Sequence, residues 1–102
     1  MPTERLPGQT GVFELADAFR RVVLIEQAGG RSRFGLRGEI ARAVAEIGDA
    51  RFYRFEVTTA YRTRLIELLM AHVADHGALP RDNVGRDRPS LGRLSPLPSR
   101  GD

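Results

Sequence analysis

The stretch from Thr58 to Gly77, TTAYRTRLIELLMAHVADHG, constrains the fold more than any other part of the chain. Thr58 or Thr59 can accept a backbone N–H group as an N-cap, and Gly77 followed by Pro80 is a stop signal. These signals predict a helix over residues 59–76. On a wheel of 100° per residue its apolar side chains span an arc of about 200°. They are Tyr61, Leu65, Ile66, Leu68, Leu69, Met70 and Val73.

The width of this apolar arc predicts burial on more than one side. A helix that lies on a single surface needs an arc of only about 100°. We therefore expect this helix to be sandwiched, either between two layers of its own chain or against a second copy. In the second case the arc is an interface, carried by Leu65, Leu68, Leu69 and Val73.

The length of 102 residues predicts one small domain whose core is marginal unless a partner adds to it. The chain has no Cys, which excludes disulfides, thiolate zinc sites and cysteine nucleophiles. No apolar run approaches membrane-spanning length, and the first residues carry no signal-peptide apolar region. A soluble cytoplasmic protein is therefore expected, with no membrane partner.

The charge is unevenly distributed between the body of the chain and its end. All 16 basic residues are Arg. Residues 1–80 hold 11 Arg against 10 acidic residues, whereas residues 81–102 hold 5 against 3. The last segment is also rich in Gly, Pro and Ser, so we expect a flexible, disordered basic tail there. A nucleic-acid surface on the body must come from the placement of Arg, since there is little excess.

After an irregular lead-in at 1–10, residues 11–80 are expected to form the domain. Apolar residues from Val12 to Ala28 keep helical spacing and end at a Gly pair, which favours a first helix. The β-branched run at 21–27 also fits a strand that turns into a hairpin partner around 31–37. Local signals leave these two alternatives open.

Two further elements precede the long helix. Residues 38–48 predict a short amphipathic helix, and residues 51–57, RFYRFEV, predict a strand. A two-stranded sheet alone is marginal, so the strand needs a partner, which favours a strand at 21–27. The expected fold class is α+β, a small single domain with three helices and a short antiparallel sheet or hairpin.

Residues 13–79 loosely resemble the winged helix-turn-helix regulators. FELADAFRRVVLIEQAGG and RGEIARAVAEIG are similar to the first two helices of such proteins. TTAYRTRLIELL followed by HGAL is similar to a recognition helix that leads to a wing. About ten residues separate the second and third helices, where the motif has a turn of about 3–4 residues. The resemblance implies DNA binding by the start of the third helix.

Hydroxyl groups and arginines collect at the start of the long helix, where backbone N–H groups also suit an anion. Such a set suits contacts to phosphates and base edges, and a second basic set lies near residue 31. Nucleic acid is therefore the first candidate partner, through Thr58, Thr59, Tyr61, Arg62, Arg64, Arg31 and Arg33. In the alternative without a nucleic-acid ligand, Arg64 pairs with Glu67 and the arginines are ordinary solvent-exposed surface residues. The rival function is protein interaction or homo-oligomer assembly through the apolar arc.

Signals for catalysis or metal binding are weak. His72 and His76 lie four residues apart on the predicted helix, but a metal site needs further ligands and Asp75 points away from both. The sequence has no nucleophile elbow and no phosphate-cradling Gly loop. We therefore predict a non-catalytic regulatory binding module that uses no metal, cofactor or small-molecule substrate.

Overall fold

The computed structural model describes residues 6–85. The elements in chain order are β1 (Gly11–Ala16), β2 (Val22–Ala28), α1 (Gly35–Glu46), β3 (Phe52–Val57), α2 (Tyr61–His76) and a 3-10 turn (Arg81–Asn83). The strands form one sheet in the order β2-β1-β3, with β1 in the middle and both neighbouring pairs antiparallel. The described fold is thus α+β with a three-stranded antiparallel sheet and two α-helices.

The expectation of three helices is wrong, because the first predicted helix is the β1-β2 hairpin. The error has a physical cause. Val12, Phe13 and Leu15 are all buried, since the central strand is covered on both faces by the two helices. A strand buried on both faces need not alternate apolar and polar residues, so its pattern can pass for helical spacing. The winged helix-turn-helix resemblance fails with it, since that motif needs a helix here.

The turn between β1 and β2 is held by one carboxylate. Asp17 accepts the backbone N–H groups of Phe19 (2.9 Å) and Arg21 (3.0 Å), and Arg21 also donates from its side chain. Arg20 has φ of +64°, a left-handed conformation that closes the turn. Burial opposes ionisation of this carboxyl, but the hydrogen bonds from Arg21 and Phe19 leave the pKa of Asp17 below its usual value.

The predicted hairpin partner around 31–37 is also wrong, because α1 begins at Gly35 and β2 pairs with β1 instead. Gly35 has φ of +60°, and a Cβ there would collide with the Gly8 carbonyl oxygen. The N–H of Leu36 donates to the Gln9 carbonyl at 2.9 Å. The lead-in chain therefore anchors the start of α1, and only Gly fits that contact.

The core lies in two layers, one on each face of the sheet. On one face α1 contributes Leu36 and Ile40 to a cluster that includes Phe13 and Leu15. On the other face α2 contributes Leu65 and Leu69, which pack against Val12 and Ile25. Both helices lie mainly over β1 and β2, and every residue of β3 is exposed.

Helix α2 therefore packs against one layer of the chain, and the rest of its apolar arc is open. Leu65 and Leu69 are buried, whereas Met70 is 67% exposed and Val73 is also exposed. The expected sandwich between two layers of the same chain is not formed by residues 6–85. Contact with a second copy stays a prediction.

The segment after α2 returns to the outer edge of β2. The Asn83 side chain accepts the Ile25 N–H at 2.8 Å and donates to the Ile25 carbonyl at 2.7 Å. Asn83 is 2% exposed, so the first residues of the expected tail at 81–102 are part of the packed structure. The predictions for residues 1–5 and 86–102 lie outside the described residues.

Candidate nucleic-acid interface

A cleft of about 490 Å³ opens where the loop after β2, helix α1 and the start of α2 meet. The loop is residues 29–32, and it follows directly from the end of β2. Ionisable and polar side chains dominate the lining: Glu26, Gln27, Arg31, Ser32, Glu39, Arg42, Glu46, Tyr61 and Arg62. The cleft thus joins the loop and the neighbouring α1 to α2, which begins only at Tyr61.

Tyr61 fixes the loop against the first turn of α2. Its hydroxyl accepts the N–H of Gly30 at 3.0 Å. Its ring lies against Gly29 so closely that a Cβ at that position would be 2.8 Å from Tyr61 Cε1. The absence of a side chain at Gly29 therefore allows the loop to approach α2. The neighbouring Arg31 is placed at the cleft by this contact.

Arg31 and Arg62 line the cleft, and neither has a carboxylate partner in the described part of the chain. Neither side chain makes an ion pair or a hydrogen bond within residues 6–85. Arg42 differs, because it pairs with Glu39 at 2.6 Å. Glu39 also accepts the Ser32 hydroxyl at 3.2 Å. The two unpaired guanidinium groups are therefore the cations in the cleft with the most capacity for an external anion.

The formal charges of the lining nevertheless cancel. Three Arg and three Glu residues contribute. Any attraction for phosphate must depend on the positions of Arg31 and Arg62 at the loop and at the helix start, where a helix N-terminus adds partial positive charge. This agrees with the even charge balance of residues 1–80.

The start of α2 differs from the predicted cap. The N-cap is Ala60, with no side-chain cap hydrogen bond from the described residues. The Thr58 hydroxyl instead accepts the Ala60 N–H at 3.0 Å, and the Thr58 carbonyl accepts the Thr10 hydroxyl at 3.0 Å. The prediction that Thr58 or Thr59 caps the helix is wrong. Without a side-chain cap, the first-turn N–H groups keep donor capacity for an anion.

Gln27 was missed by the sequence reasoning. Its amide oxygen is buried at the cleft and has no hydrogen-bond partner in the described part of the chain. A buried amide oxygen without a donor is unusual in a folded protein. No local signal marks it, since Gln27 lies in an ordinary strand sequence and its position depends on the loop and on α2.

A family model for a domain of unknown function, DUF7508, matches residues 2–75. The chain belongs to the DUF7508 family. Every lining residue of the cleft lies within the matched residues, whereas Asn83 lies beyond them. Neither the curated proteins nor the solved structures gave a match to the chain.

The remaining predicted nucleic-acid residues of this DUF7508 chain lie away from the lining. Arg64 pairs with Glu56 (3.1 Å) and with Glu67 (3.3 Å), and these carboxylates raise its pKa. The Arg33 guanidinium lies 5.4 Å from the centre of the Phe34 ring. The structure therefore brings together Arg31, Tyr61 and Arg62, but not Thr58, Thr59, Arg33 or Arg64.

The predicted interface residues divide between core and surface. Leu65 and Leu69 are buried in the α2 side of the core, and Leu68 packs against it. Val73 is exposed beside Met70. A change at Leu65 or Leu69 would therefore alter folding, and the accessible part of the arc is Met70 with Val73.

The rings of His72 and His76 lie side by side near the end of α2, with centroids 4.3 Å apart and planes inclined by 34°. Burial, followed by the charge of His76, lowers the pKa of His72, against the opposing effects of Glu14 and Asp75. Residues 6–85 contain no group of three or more His, Cys, Asp or Glu that could hold a metal ion.

No helix within residues 6–85 is long and apolar enough to cross a bilayer.

Proposed function

We propose that the protein is a non-catalytic module that binds nucleic acid through the cleft at the start of α2. The observation that carries this proposal is the convergence of Arg31 and Arg62 on one cleft, where neither pairs with a carboxylate of residues 6–85. Guanidinium groups in that condition suit phosphate oxygens, which they can grip with two parallel hydrogen bonds.

Two neighbouring features support the proposal, the first for a phosphate contact and the second for a base contact. The first-turn N–H groups of α2 have no side-chain cap, so they can add to a phosphate contact. Gln27 lies in the same lining, and its buried amide oxygen has no donor within residues 6–85, so it can accept a hydrogen bond from a base if the side chain turns toward the cleft. A cytoplasmic location is part of the proposal, because nucleic acid is accessible there.

A salt-titrated anisotropy measurement with a labelled duplex DNA tests this proposal. Arg31→Ala and Arg62→Ala should each weaken binding and reduce the slope of log affinity against log salt by about one. Arg37→Ala is the matched control. Arg37 is exposed and its side chain has no ion pair or hydrogen bond within residues 6–85, but it lies outside the lining.

If Arg37→Ala weakened DNA binding as much as Arg62→Ala, net charge alone would attract the DNA. The cleft would then not be the binding site. Affinity unaffected by Arg31→Ala and Arg62→Ala would refute the proposal directly. The same DNA, recovered after incubation with Mg²⁺, should be intact. Cleaved strands that depend on the protein would refute the non-catalytic part.

The second candidate is protein binding by the exposed part of the α2 arc. Met70 is 67% exposed and adjoins the exposed Val73, and such apolar surface favours a partner. Met70→Asp and Val73→Asp should abolish capture of that partner without a change in thermal unfolding. They should also leave DNA binding unchanged, because both residues lie outside the cleft lining.

A further inference from the structure

The outer edge of β3 is an open sheet edge within residues 6–85. β3 pairs with β1 on one side, and no described strand pairs with its other side. All six of its residues are exposed. An unprotected edge of this kind is a template for another strand.

The backbone groups that point out of this edge can be identified from the ladder. The Thr58 N–H donates to the Thr10 carbonyl at 3.1 Å, in the same register as the β1-β3 pairs. In an antiparallel ladder every second residue bonds in the same direction, so Arg54 and Glu56 also turn toward β1. Tyr53, Phe55 and Val57 therefore present their N–H and carbonyl groups to the free edge.

These same three residues form an apolar row on the face that carries α1. Tyr53 and Phe55 lie opposite Leu15 and Phe13, and both partners belong to the α1-side core. The rings of Tyr53 and Phe55 stack with centroids 6.4 Å apart, yet 39% and 40% of these residues remain exposed. The row thus extends the core to the edge of the sheet and ends there uncovered.

We propose that a second copy of this chain covers the edge, so that two β3 strands pair antiparallel and join two sheets into one of six strands. A two-fold axis perpendicular to the sheet keeps each side chain on its own face. One residue of β3 must then lie on that axis, opposite itself.

The charges of β3 select which residue lies on the axis. An axis at Arg54 or at Glu56 would place like charges directly opposite each other, which is unfavourable. An axis at Phe55 places Phe55 against Phe55, and Tyr53 against Val57 of the second copy. On the other face it places Arg54 against Glu56 of the second copy, twice. This register alone matches aromatic residues with apolar ones and Arg with Glu.

The internal partners of these charges leave room for the intermolecular pair. Arg54 binds Glu14 through Nε (3.0 Å) and Nη2 (2.7 Å), which leaves Nη1. Glu56 accepts Nε of Arg64 at 3.1 Å. In the dimer these pairs join into one row of alternating charges. It runs from Glu14 and Arg54 of one copy to Glu56 and Arg64 of the second copy.

A single introduced cysteine tests the register, because the chain has no Cys of its own. Residues opposite each other in a hydrogen-bonded antiparallel pair have Cα atoms about 5.5 Å apart, within the range for a disulfide. In the full-length chain, Phe55→Cys should therefore form a disulfide-linked dimer on mild oxidation. Tyr53→Cys is the matched control, since four residues of strand, about 13 Å, separate it from its own copy.

Sedimentation of the unmodified full-length chain should give a mass that rises from monomer to dimer with concentration. Phe55→Lys should hold the chain at the monomer mass at every concentration, with the far-UV circular dichroism unchanged. The proposal would be overturned if the unmodified chain stayed monomeric at all concentrations and Phe55→Cys formed no cross-link. That result would mean that another segment or another protein covers the edge. Equal cross-linking of Tyr53→Cys would overturn the register.

Discussion

Replacement of Asn83 by Ala should strongly destabilise the domain, although Asn83 lies after the last helix, where most substitutions have little effect. The Asn83 amide satisfies both backbone groups of Ile25, at 2.8 and 2.7 Å, and only 2% of the residue is exposed. Each buried backbone group left without a partner costs about 1–3 kcal/mol. Water can enter the vacated space at the sheet edge, so we expect the lower part of the sum, about 2–4 kcal/mol.

Urea unfolding followed by circular dichroism measures this effect as a lower midpoint with an unchanged slope. Val84→Ala is the control, since Val84 is largely exposed and its truncation should change the free energy of unfolding by less than about 0.5 kcal/mol. A loss below about 1 kcal/mol for Asn83→Ala would refute the reasoning, because two orphaned groups could not then be buried.

Asn83→Asp adds a pH signature to the same test. A carboxylate can accept the Ile25 N–H but opposes the Ile25 carbonyl, whereas a protonated carboxyl can serve both groups. Burial and the carbonyl should therefore raise the pKa of the introduced acid in the folded state. With a raised folded pKa, stability is highest below the unfolded pKa of about 3.9 and is lost as the pH rises through the folded value. A variant equally stable at pH 4 and pH 7, relative to the native chain, would contradict this account.

Two further predictions concern the hairpin turn and the cleft. Because the pKa of Asp17 is depressed in the folded state, the stability that its ionised form contributes is present above the unfolded value of 3.8 and is lost as the pH falls through the folded pKa. In an acid titration the difference in unfolding free energy between the native chain and Asp17→Ala should therefore become smaller. Gly29→Ala should displace the Tyr61 ring and weaken DNA binding in the anisotropy assay, whereas Gly48→Ala, with no atom within 4 Å of the new Cβ, should not.

The sequence predicts elements well where local signals are strong. The long helix, expected over 59–76, runs from Tyr61 to His76, and the strand expected at 51–57 is β3. Both have strong local signals. The helix ends at Gly77, which adopts the left-handed conformation, and the strand contains an aromatic run. The sequence of the β1-β2 hairpin also fits helical spacing, because its central strand has two buried faces, a property set by α1 and α2 together.

The candidate site divides in the same way. Arg31, Tyr61 and Arg62 were predicted from residue type and from their place beside a turn or a helix start. Arg64 was predicted by the same rule, but its direction around the helix brings it to Glu56 on the neighbouring strand. The contribution of Gln27 depends on how the loop packs against α2, and sequence spacing does not encode that contact.

The two edges of the sheet explain how pairing between copies can stop at two. At β2 the Asn83 amide occupies the backbone groups of Ile25, so a strand cannot add there without displacing it. Residues Phe52–Val57 of β3 contain no Pro or bulge, and their two charged side chains, Arg54 and Glu56, are matched by those of the second copy in the proposed register. A two-fold pairing of β3 uses the open edge of both copies. Within the described residues, the only edges that remain are the two β2 edges, and Asn83 blocks each of them. Loss of Asn83 would open the second edge, and edge-to-edge growth would then have no closing step.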